Sequence, residues 1–430
     1  MNESSAHSFI RSQAESIGLE AEGRLLKLGR YGAEPAGGVT RLLYTPAWAE
    51  AQRSLALQMQ EDGLDVRFDR VGNLYGRLEG DAGSGGVIVT GSHIDTVVGG
   101  GIYDGALGVI AGMMALRKLK EQYGKPVRTL EVVSLCEEEG SRFPLTCWGS
   151  GRITNTYAQE TAFITKDADG VTMHEAMVGA GFGINGAEPA RSDIAAFVEL
   201  HIEQGGRLEH EGLAIGIVDR IVAQKRATVT VSGRSNHAGT TPMHLRRDAL
   251  HAAIRMIEKL YNRVSLAGEP MVATVGSMKV EPNISNVIPG SVAFTVDMRH
   301  PDDAALQGCF NECLTAFETI AAGLQVDLAV NLWMDAKSVA MDESLVDALR
   351  RGCERNGVSW RIMASGAGHD AQLFAPHCPA ALLFVPSSGG ISHSAEEYTS
   401  AVQIGTGIER LMELLYELGY RDGIGKEIAP

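Results

Sequence analysis

Residues 87–123, VIVTGSHIDTVVGGGIYDGALGVIAGMMALRKLKEQY, set the architecture of the chain. An apolar run at 87–90 reads as a buried strand, and a helical stretch follows from 105 to 123. Between them lies a polar and glycine-rich turn. Residues 129–136, 196–200 and 380–385 are further apolar runs of strand length. Strands alternating with helical stretches argue for an α/β sheet with helices on its faces. The first 65 residues or so are helical in pattern, broken by GAEPAGGVTRLLYTPAW at 32–48, whose glycines and prolines mark an ordered loop.

Polar residues able to bind metal follow these strands. His93 and Asp104 lie in GSHIDTVVGGGIYDG, Glu139 in CEEEGSRF, His201 in ELHIEQG and His393 in GGISHSAEE. In open α/β sheets the reactive crevice lies beyond the carboxyl ends of the strands, so these loops should converge there, from both ends of the chain. Alone, a histidine at a strand end is structural and three carboxylates in a row make a solvated acidic turn. Together they suit two divalent cations sharing Asp104, which can activate water and polarise a carbonyl. His93 and Asp95 are two apart on an extended segment, so Asp95 is expected to accept the second imidazole N–H and fix the tautomer. Glu139 is expected as a ligand and Glu138 as the general base. Glu137 is left as a supporting or solvated group, and Cys136 as a buried strand residue. Asp370 is either support for the pocket or a helix cap. His210, His244, His251, His300 and His377 have no comparable setting.

The texture changes between about residues 220 and 333. Residues 227–232 alternate with period two, 248–261 and 304–322 are helical, and 292–299 form a strand. This is an αβ unit of about 110 residues, a normal domain size, inserted into the larger one. Three segments follow: 1–219 and 334–430 of the larger domain, and 220–333 of the insertion. Across 430 residues, 38 basic side chains stand against 53 acidic ones, for a net charge of −15. Such a chain is unsuited to nucleic acid or an anionic membrane surface. The amino terminus lacks the apolar stretch of a signal peptide, no run has membrane-spanning length, and the six cysteines include no CxxC pair. Reducing cytoplasm is the expected compartment. Cys309 and Cys313 read as neighbours on a helix face.

These motifs, with VGNLYGRL, SNHAGTTPM, NVIPG and SGAGHDAQLFAP, run nearly the whole length of the chain. Together they resemble the dinuclear-metal hydrolases of the M20 type, in their amidase/hydantoinase/carbamoylase branch. The resemblance implies a larger zinc-peptidase-like catalytic domain, a mixed sheet flanked by helices, and a smaller inserted α+β lid that forms a homodimer. It implies that His93, Asp104 and His201 hold one divalent ion and Asp104, Glu139 and His393 a second, manganese or zinc, with Glu138 as base. Gln204, Asn286, Arg299 and Gly366-Ala367-Gly368 would contact a small ureido acid, Arg299 through its carboxylate. His237 would stabilise the developing oxyanion from the lid. The segments TRLLYTPAW, FPLTCWGS and GHDAQLFAP look more like the allantoate-hydrolysing members than the carbamoylases. The segment GRITNTYAQE and residues 167–191 follow the branch only loosely. N-carbamoyl-L-amino acids, ureidoglycolate, ureidopropionate and dipeptides stay open as substrates. An inactive ureide-binding relative would have lost a ligand or the base, and this sequence keeps all of them.

Overall fold

The computed structural model describes residues 3–81, 85–183 and 190–421. The expected domain limits at residues 1 and 430 lie outside these, as do the first two residues of the amino-terminal run and residues 184–189 of the loosely matching stretch. The chain divides into two compact units, Met1–Asp219 with Ala340–Pro430, and Arg220–Val339.

The first unit is built on a mixed nine-stranded sheet. Four strands at its centre run parallel, in the order Thr129–Leu135, Val87–His93, Ile194–Ile202 and Ala380–Val385. They are buried almost throughout, as strands covered on both faces must be. Antiparallel strands flank them: Asp65–Phe68 and Leu74–Leu78 on one side, Ile215–Ile221 on the other. The register sets His93 beside Leu135 and His201 beside Phe384. The expected strands are all present, and that at 196–200 extends over Ile194–Ile202.

Helix Ala106–Tyr123 packs on the central strands, with the long helices Glu3–Leu28 and Ala401–Tyr420 against it. The last two approach backbone to backbone through Gly18 and Gly405: a Cβ on Gly405 would overlap the carbonyl of Ala14. Helix Pro46–Glu61 starts where Thr45 caps the amide of Trp48 and proline takes the first turn, where it has no helical N–H to lose. The loop before this helix is tied down by Arg41, fully buried, whose guanidinium donates to the carbonyls of Leu28, Tyr31 and Ile94.

In the second unit a five-stranded antiparallel sheet includes Ala223–Ser232, Ser291–His300 and Asp327–Ala336. Helices Ala249–Ala267 and Asp303–Leu324 pack on it. Ala227, Val229 and Val231 are buried at every second position, with Phe294, Phe310 and Phe317 in the same core. Asp248 and Asp302 are the caps of the two helices, and the first helix runs six residues beyond its expected end at 261. Cys309 and Cys313 share a buried helix face, and all six cysteines are free and buried. Among the described residues no helix is long and apolar enough to cross a membrane.

The contact between the terminal helices can be tested by filling it. Gly405→Ala is expected to lower stability by about 3 kcal/mol, the upper end of overpacking costs. Gly23→Ala, on the same helix as Gly18 but with open space beside it, should be neutral or stabilise by up to ~1 kcal/mol. Urea unfolding of both variants decides; equal midpoints would show that the close approach does not constrain the helices.

Candidate metal centre

The four parallel strands end on one side of the sheet, and the site forms there. His93 is the last residue of its strand and His201 the last but one of its own. Glu138 and Glu139 follow the strand Thr129–Leu135, and His393 lies in the loop after Ala380–Val385.

Asp104 is the common partner. Its Oδ1 lies 3.1 Å from His201 Nε2 and 3.8 Å from His93 Nε2. Its Oδ2 lies 3.2 Å from His393 Nε2, which in turn is 3.5 Å from Glu139 Oε2. Donor atoms of His93, Asp104 and His201 fall within 4.8 Å of one another, as do those of Asp104, Glu139 and His393. Glu138 Oε2 is 3.7 Å from His93 Nε2, and Glu138 Oε1 receives the Cys147 thiol at 3.8 Å.

The tautomers suit metal binding. Nδ1 of His201 faces the Ile202 carbonyl at 2.9 Å, and Nδ1 of His93 faces the Asp95 carbonyl at 3.0 Å. A neutral ring held in this way carries its proton on Nδ1 and offers the Nε2 lone pair to a cation beside Asp104. For His93 this corrects the expectation from sequence: the acceptor is the backbone of Asp95, with its carboxylate at 3.7 Å. The strand stops at His93, so the alternation that would set both side chains on one face does not continue. The Asp95 carboxylate accepts the Glu139 amide instead, at 3.1 Å.

Electrostatics points the same way. Burial, reinforced by Glu139, pushes the Glu138 carboxyl well above the usual range. Burial and Asp104 push Glu139 up to about 9. Glu137 is buried, not solvated, and reaches about 8 through burial and Asp95; its Oε1 accepts the amides of Arg142 and Phe143 and so shapes the turn. So much buried carboxylate is stable in ionised form only beside positive charge. Imidazole and carboxylate donors suit zinc or manganese.

Gln204, at φ 56, donates from Nε2 to Asp104 Oδ2 at 2.9 Å. Gly366, Ala367 and Gly368 follow the strand Trp360–Ser365, where Ser365 Oγ bonds both the Ala367 carbonyl and His369 Nε2. The His369 ring stands edge-on to His201, with centroids 4.5 Å apart, and Glu199, His201 and His369 form a third close donor group. Asp370 makes no side-chain cap; it is buried and accepts Ser150 Oγ at 2.5 Å. Sequence gives no role to Cys147, Glu199, His369 and Glu397; Glu199 stands on the strand two residues before His201, but its partners Ser92 and Ala371, like the partners Tyr103 and Asp104 of Glu397, are distant in sequence.

In the second unit, Asn236–His237 pairs antiparallel with Val287–Ile288, and the Ala238 amide bonds the Asn286 carbonyl at 3.0 Å. His237 and Asn286 are therefore neighbours. Nδ1 of His237 accepts the Gly239 amide at 3.1 Å, and the side chain is exposed. Arg299 is held by Asp297 through two bonds of 2.9 and 2.8 Å.

The sequence matches Peptidase family M20/M25/M40 over residues 89–417. It is 48% identical to an allantoate amidohydrolase of Bacillus subtilis, covering 91% of this chain and 96% of that one. It is 45% identical to an allantoate amidohydrolase of Escherichia coli, covering 92% and 96%. The fold is similar to a solved amidase of the hydantoinase/carbamoylase family from Burkholderia multivorans, with a TM-score of 0.89 and 36% identity over 95% of this chain and all of that one.

Gly105 tests whether His93 orientation matters. It has φ 61, and a Cβ there would strike the His93 ring at Nε2. Gly105→Ala is expected to weaken divalent-cation binding by about tenfold, ~1.4 kcal/mol, with the fold retained. Calorimetric titration with manganese is the check, and unchanged affinity would remove His93 from the metal site.

Proposed function

We propose that this chain, which belongs to Peptidase family M20/M25/M40, hydrolyses the ureido C–N bond of allantoate to ureidoglycine, ammonia and carbon dioxide. The observation that carries the reading is one carboxylate, Asp104, shared by two three-donor groups, with a further carboxylate, Glu138, that belongs to neither group beside them. The similarity to two allantoate amidohydrolases supports the substrate.

In this reading His93, Asp104 and His201 hold one divalent cation, and Asp104, Glu139 and His393 the other. Bound there, such cations lower the pKa of water and polarise a carbonyl oxygen. Glu138 takes the proton of the attacking water as oxygen adds to the ureido carbon. The same carboxyl then returns the proton to the departing nitrogen as the C–N bond breaks.

His237 donates to the developing oxyanion. Arg299 offers its planar fork to the substrate carboxylate, exchanging part of its bond to Asp297. Gln204, Asn286 and the 366–368 loop complete the contacts to the ureido groups. The unit Arg220–Val339 acts as the lid and the homodimer contact, closing to exclude water.

Two experiments test this. Glu138→Gln should lower kcat by roughly 10²–10⁴-fold, the usual worth of a general base, while metal content stays at the wild-type level. A near-normal rate would sink the assignment. Protein stripped by chelation and restored with manganese or zinc should release ammonia from allantoate much faster than from N-carbamoyl-L-amino acids. The reverse order would move the chain to the carbamoylases.

A further inference from the structure

Glu397 lies four residues beyond His393 and is buried, 5% exposed, while its neighbour Glu396 is exposed. Its Oε1 accepts two backbone amides, Tyr103 at 2.9 Å and Asp104 at 3.0 Å. Its Oε2 accepts the Ser392 hydroxyl at 2.9 Å, and that hydroxyl also lies 3.2 Å from Asp104 Oδ2. Gly101 leaves room for it, since a Cβ there would overlap Glu397 Oε1. One carboxylate therefore clasps two loops 293 residues apart, one carrying Asp104 and the other His393.

Both loops need such a constraint. The segment 99–105 holds four glycines, Gly99, Gly100, Gly101 and Gly105, and glycine loses the most conformational freedom on ordering. His393 sits at φ 56 with its side chain 49% exposed, whereas His93 and His201 are 2% and 1% exposed.

We infer that Glu397 is a positioning residue that fixes Asp104 and the His393 loop in the relative placement needed to bind the second cation. The inference rests on the two-cation reading above. Glu397 touches neither the cations nor the substrate in this account; it acts through Asp104 and Ser392. Glutamine should replace it, because a carboxamide oxygen can accept both amides. Its NH₂ can donate to Ser392 Oγ, which frees the hydroxyl proton to turn to Asp104.

The test compares wild type with Glu397→Ala, Glu397→Gln, Ser392→Ala and Glu396→Ala. Each is stripped by chelation and titrated with manganese, affinity being read by calorimetry and ions per chain by native mass spectrometry. Glu397→Ala is expected to weaken binding at least tenfold and to lose about one ion per chain, while Glu397→Gln and Glu396→Ala stay within threefold of wild type. Ser392→Ala should fall between, and it carries the test alone if Glu397→Ala does not fold. Wild-type affinity and stoichiometry in Glu397→Ala, or in Ser392→Ala in that case, would overturn the inference. So would Glu397→Gln as defective as Glu397→Ala. A wild type that binds no divalent ion at all would instead bring down the two-cation reading, and this inference with it.

Discussion

The site depends on a concentration of buried acid around Asp104. Glu138, Glu139, Asp104 and Glu397 meet in a space where water is largely excluded. Carboxylates so placed repel one another, and each ionises only against an opposing charge. When protonated, the His201 and His393 imidazoles beside Asp104 supply part of that opposition, and a bound cation would take over that part. The geometry of the rest is suited to divalent cations, and so the same crowding that burdens the fold prepares it to bind them. The surrounding backbone serves this end: Glu137 shapes the turn that carries Glu138 and Glu139, and Arg41 anchors the segment after His93.

The parallel sheet makes such crowding possible. Four neighbouring strands that end together present their terminal residues to one volume, and the register sets which residues arrive at the same level. Hydrophobic strands buried on both faces hold these positions rigidly. A constellation on strand ends is held more firmly than one carried wholly on loops. His93 and His201 have that support, while Glu139 and His393 reach the centre from loops and need other means of fixation.

Much of this was legible in the sequence. Apolar runs of strand length followed at once by His93, Glu139 and His201 identify both the α/β class and the side of the sheet that reacts, and the period-two pattern at 227–232 marks the second unit. The strand Asp327–Ala336 also alternates, with Leu328, Val330, Leu332 and Met334 at every second position, but it runs across the limit expected at residue 333 and its outer face is exposed. The Asp95 carboxylate departs from its expected role because periodicity holds only while the strand continues, and the strand stops at His93. Glu397 resembles an ordinary surface acid in SAEE; only the folded chain shows that its partners are Tyr103 and Asp104. Arg299 reads in sequence as a salt-bridge partner or a contact to the substrate carboxylate, and its two bonds to Asp297, two residues earlier, appear only in the strand geometry.

The parallel pairing of Ala380–Val385 with Ile194–Ile202 has a consequence for how the protein is made. Those strands are separated by an entire inserted unit, so theirs is a markedly non-local strand pairing, and such pairings are slow to form. On the ribosome, His93, Asp104, Glu139 and His201 are all synthesised long before His393, and the acidic centre must wait for the last strand before its donor set is complete. The nascent chain therefore passes through a stage in which crowded carboxylates lack their final imidazole and the clasp of Glu397. Interrupted synthesis before residue 380 yields a chain whose sheet is short of a central strand and whose centre is open.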